Sequence, residues 1–67
     1  MPLTVAEVEA AVAKIAAIAR DHEAKHAAED DLHVRVLRAI ADGHDQPAVL
    51  ARAALQTCDI DFKRWCA

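Results

Sequence analysis

The chain has 67 residues, 55% of them hydrophobic with many Ala, and its eight Lys and Arg against eleven Asp and Glu give a formal charge of −3. A chain this short makes one domain at most, residues 1–67, and buries only roughly 60% of its unfolded surface, so self-association is a natural supplement to its core. With one Gly, two Pro, no Tyr and no alternating β-branched runs a sheet is excluded, and scattered basic residues in an acidic chain disfavour nucleic acid as a partner.

An all-α class is therefore predicted, as a compact three-helix arrangement. From Met1 to Ala19 no basic leader precedes the apolar positions, and Glu7, Glu9 and Lys14 interrupt them. Neither a secretory signal nor a membrane span is expected, and the predicted location is the cytoplasm. Cys58 and Cys66 are accordingly expected as free thiols.

The first helix is predicted over about residues 4–20. Thr4 can cap it, Glu7 stands three residues on to complete a capping box, and Leu3 and Val8 are placed as a hydrophobic staple. Val5, Val8, Val12 and Ile15 recur at gaps of three, four and three, which makes one apolar stripe at helical period. No Gly or Pro separates Leu3 from Asp42, but Asp21 is a suitable cap, so a break is predicted near Arg20 and Asp21.

The second helix is predicted over about 22–42, with Leu32, Val36, Leu37, Ala39 and Ile40 facing inward and Gly43 as its left-handed stop. The third, about 46–57, starts with Asp45 or Gln46 as cap and Pro47 in the first turn, and turns Val49, Leu50, Ala53 and Ala54 inward. Thr57 or Cys58 ends it. The remaining segment is too short to hold a helix alone, and Ile60, Phe62 and Trp65 are expected to dock it as an apolar anchor.

Residues 22–26 read HEAKH, the zinc-peptidase spacing of two His four apart with a Glu beside them as general base. A catalytic site needs a third ligand from another element and a cleft that excludes water, for which so short a chain leaves little scaffold. His33 lies one place too far along for the extended form of the motif. No enzyme activity and no required cofactor are expected, with zinc on His22, His26 and His33 as the metal-binding alternative.

At about 100° per residue His22, His26, Glu29 and His33 fall in one arc, on the side that continues into Val36 and Ile40. Polar groups on such a stripe need partners, which hydrogen bonds within the bundle, a second chain or a metal would supply. An interaction surface built from His26, Glu29, Asp30, His33 and Trp65 is the functional reading, facing a protein partner or a second copy in a homodimer. Glu29, Asp30 and Asp31 otherwise form a solvated acidic face, with Asp31 and Arg35 spaced for a weak ion pair. A lone Cys66 beside Trp65 is expected to serve packing.

Ala39, Gly43 and the Pro-containing start of the third helix share features with a helix-turn-helix, the DNA-binding alternative. The end of a recognition helix should be basic or amide-rich, whereas this one reads His44, Asp45, Gln46, Pro47.

The segments EAKHAAEDDL, VLRAIADG and above all IDFKRWCA, spanning about Asp21 to Ala67, resemble small proteins of actinobacterial phages that end in an RWCA-like tail. The resemblance implies a phage accessory protein made in the host cytoplasm, and it implies no enzyme activity. His22 and Lys63 depart from the more usual residues of that pattern, which weakens the HEAKH reading further. The function expected from the sequence is a non-enzymatic helical module that binds a host protein or itself.

Overall fold

A computed structural model describes residues 3–18 and 21–62. It is all-α: α1 (Val5–Ala17), α2 (His22–Ala41) and α3 (Pro47–Leu55), followed by a 3₁₀ turn (Gln56–Asp59). Each helix packs on the other two, and the 3₁₀ turn packs on α1 as well as α3.

Local chemistry sets most of the boundaries. Thr4 Oγ1 accepts from the Glu7 N–H at 3.1 Å while Glu7 Oε1 accepts from the Thr4 N–H at 3.0 Å, the reciprocal pair of a capping box. Asp21 Oδ1 accepts from the Ala24 N–H at 2.9 Å and starts α2. At the other end of α2 the Gly43 N–H donates to Ile40 O and the His44 N–H to Ala39 O, both at 3.0 Å. That is a Schellman motif, and Gly43 at φ 90° supplies the left-handed residue it requires. Pro47 opens α3, and Gln46, although in the cap position, makes no side-chain capping bond.

Two boundaries fall short of the sequence expectation. α1 stops at Ala17 with Ile18 in an extended conformation, rather than near residue 20. α3 stops at Leu55, and the chain tightens into the 3₁₀ turn where the helix was expected to run to 57. Tightening of a last turn satisfies carbonyls that a free helix end would leave open.

The core joins Val8 and Ile15 of α1, Leu32 and Val36 of α2, and Leu50, Ala53 and Ala54 of α3, with Leu3, Val5, Val12, Ala39, Ile40 and Ile60 half-buried against it. Phe62 is buried as well, so two of the three expected anchors do dock the C-terminal segment, and Trp65 lies outside the described residues. Leu37 and Val49 were expected inside and are not: they are 65% and 43% exposed. Each directly follows or precedes a buried residue, about 100° around its helix, and two neighbouring helices do not cover so wide an arc. Among the described residues no helix is long and apolar enough to cross a membrane.

Candidate interaction surface

The polar stripe of α2 lies where the C-terminal segment crosses the bundle. His33 is the best-defined member: its Nε2 lies 2.9 Å from Thr57 Oγ1 and 3.4 Å from Ala54 O, while the Thr57 hydroxyl donates to Ala54 O at 3.1 Å. With the hydroxyl proton so placed, Nε2–H is the donor to Thr57, and a relay runs from imidazole to hydroxyl to carbonyl. Thr57 is fully buried, and Glu29 is 4% exposed. Lys25 Nζ stands 6.0 Å from the centroid of the Phe62 ring, a cation over the aromatic face that holds the segment to the first half of α2.

This placement corrects the expected surface of His26, Glu29, Asp30 and His33 at Glu29 alone. Glu29 is turned into the bundle, whereas His33, bonded inward through Nε2, is only half-buried and lines the groove between α2 and α3. His26 keeps a side chain 18% exposed with Nε2 3.5 Å from Asp30 Oδ2, and only Asp30, at 66%, stands well into solvent. Asp31 and Arg35 do not form the expected pair; the His/acid pairs His26–Asp30 and His44–Asp45 are the close ones among the described residues. Trp65 and Cys66 lie outside the described residues, and Cys58 is a free, exposed thiol.

The metal trio is not assembled either. Among the described residues no three His, Cys, Asp or Glu side chains come together in a way that could hold a metal ion. The physical reason is axial: His22 and His33 share a side of α2 but stand roughly 16 Å apart along it, at about 1.5 Å per residue. In the HEAKH segment the two His are half-buried while Glu23 is exposed.

Sequence reasoning missed His44. Its Nδ1 accepts from the Gln46 N–H at 3.0 Å, and its Nε2 lies 2.6 Å from Leu3 O. Because Nδ1 is occupied as an acceptor, the proton sits on Nε2 and is donated to Leu3 O, which clamps the entry of α1 to the α2–α3 connection. The carboxylate of Asp45, 3.6 Å from Nδ1, adds no donor to that arrangement. A bond from the i+2 amide to a side chain is what an Asx turn does, and a His just before a Pro-led helix is the signal that could have suggested it.

The unfilled surface lies elsewhere. Between α2 and α3 runs an open groove of about 220 Å³, floored by Val36, Ile40, Ala51 and Ala54 and flanked by His33, Leu37 and Leu55. Leu55 is 58% exposed, and Val34, one turn before Leu37 on α2, is 45% exposed. A second depression of about 370 Å³, at the C-terminal end of α2, is lined by Arg35, Arg38, Asp42 and His44 over Leu3 and Ala39. Large side chains left in water beside an apolar groove lower the free energy of any state that covers them, and such patches mark association surfaces.

Compared with protein-family models, with curated proteins and with solved structures, the chain matches none.

Proposed function

We propose that this chain is a non-enzymatic helical interaction module, made in the cytoplasm, that works by binding protein through the open face between α2 and α3. The observation that carries the reading is the pair Leu37 and Leu55, 65% and 58% exposed on either side of one apolar groove. Of the polar stripe of α2, Glu29 is buried, while His33 lines this same groove and Asp30 stands in solvent beside the leucine face. The resemblance of the IDFKRWCA segment to small phage proteins supports an accessory role in a host cell, with a host protein or a second copy as partner.

Affinity capture from host cells, with the wild type beside Leu37→Lys and Leu55→Lys, tests the reading. A specific protein, or the chain itself, recovered by the wild type and lost from both variants is the expected result. Recovery of nothing, together with a monomer by light scattering, would defeat it. So would a partner retained equally by both variants.

A further inference from the structure

Rested on the reading above, the open face also indicates which protein covers it. Along α2, Asp30, Val34, Leu37 and Ala41 are spaced four, three and four, all are exposed, and they fall within roughly 60° of arc. That is the spacing of a coiled-coil seam, on the side of the helix turned away from the core. Beside the seam lies the groove, so the same face carries both projecting side chains, Leu37 and Leu55, and a floor of small ones, Ala51 and Ala54. A two-fold interface between identical chains needs projections and depressions on one and the same face, and this face carries both.

Charge and area agree with a second copy. Asp31 and Arg38 are exposed, flank the seam on the side away from the groove, and belong to no ion pair among the described residues. When two α2 helices run antiparallel with Val34 of each beside Leu37 of the other, Asp31 of each copy stands near Arg38 of its mate, twice over. A small stable interface removes ~600 Å² from each partner. That is about one-eighth of the 4719 Å² this chain exposes.

The geometry points to a homodimer with two-fold symmetry, in which the α2–α3 faces of two copies pack antiparallel through Val34, Leu37 and Leu55, with Asp31 and Arg38 pairing reciprocally at the rim. Because buried area does not fix affinity, assembly is read over a concentration series that reaches about 1 mM.

Sedimentation velocity of the whole chain across concentration tests this. The wild type should pass from monomer to dimer, and Leu37→Lys should abolish the dimer while circular dichroism stays helical. Asp31→Arg and Arg38→Asp alone should each weaken assembly, by roughly fivefold for each exposed pair lost, and the two together should restore it. These exposed positions carry the test even where Leu37→Lys fails to fold. A wild type that is monomeric at about 1 mM, a Leu37→Lys variant that dimerises like wild type, or a double charge variant no better than its parents would overturn the dimer. A monomer that still captures another protein through Leu37 defeats the homodimer alone and leaves the interaction module standing.

Discussion

Two histidines tie distant parts of this bundle together, and they do so in different surroundings. His33 joins α2 to the chain after α3 through a side chain, the hydroxyl of Thr57, which is fully buried and itself donates a hydrogen bond to Ala54 O. His44 joins the entry of α1 to the α2–α3 connection through two backbone groups, Leu3 O and the Gln46 N–H, the second of them at the surface. In both rings Nε2 is the donor, so the difference lies in what could replace the bond. Water can reach the Gln46 amide; it has no access to the Thr57 hydroxyl. A buried relay should therefore be costly to break and a surface clamp cheaper, although each contributes comparable hydrogen bonds.

The sharpest way to break that contrast is Thr57→Val, which keeps the shape and deletes the hydroxyl on which His33 depends. A loss of ~1–3 kcal/mol is expected, read as a fall in the denaturant midpoint with an unchanged slope. A loss below that of the His44 variants would mean the relay is hydrated. His44→Ala comes next, at ~1–2 kcal/mol, since water can take over at least one of the two backbone groups it leaves. Hydrogen exchange should show the Gln46 amide losing protection first, and His44→Asn, whose amide oxygen can accept the same N–H, should restore it without restoring the bond to Leu3.

Gly43→Ala probes the turn that carries His44. Nothing lies within 4 Å of an added Cβ, so the expected cost of ~1 kcal/mol comes from φ 90° alone, and Gly43→Asn should lower the melting temperature less than Ala does. The smallest effect is assigned to Lys25→Gln, which removes the cation over Phe62. About 0.5 kcal/mol is expected there, and thermal melts at low and high salt should differ less for the variant than for wild type.

How far such features could be read in advance depends on their range along the chain. The Thr4–Glu7 box, the Asp21 cap, Pro47 at the start of α3 and Gly43 at the end of α2 all appear where the sequence places them, because each is decided within four residues. The arc of His22, His26, Glu29 and His33 was legible too, but its meaning was not. Whether it met solvent, a metal or the chain's own end turned on the crossing of residues 56–62, where Thr57 carries no pattern that marks it as a partner for His33. Leu37 looked like core because it follows Val36 on an apolar run, and nothing local says how wide an arc the neighbours will cover.

The sequence by itself determined the helical class, the starts of the helices, the stop of α2 and the inward stripe of α1, since propensity, capping and periodicity act over one or two turns. Only the tertiary structure decided that Glu29 is buried and that His33 meets Thr57 near the end of the chain, while Leu37 and Leu55 stay in water. Burial is a property of what lies opposite a side chain, and with three helices packed around one small core that is fixed by residues twenty or more positions away.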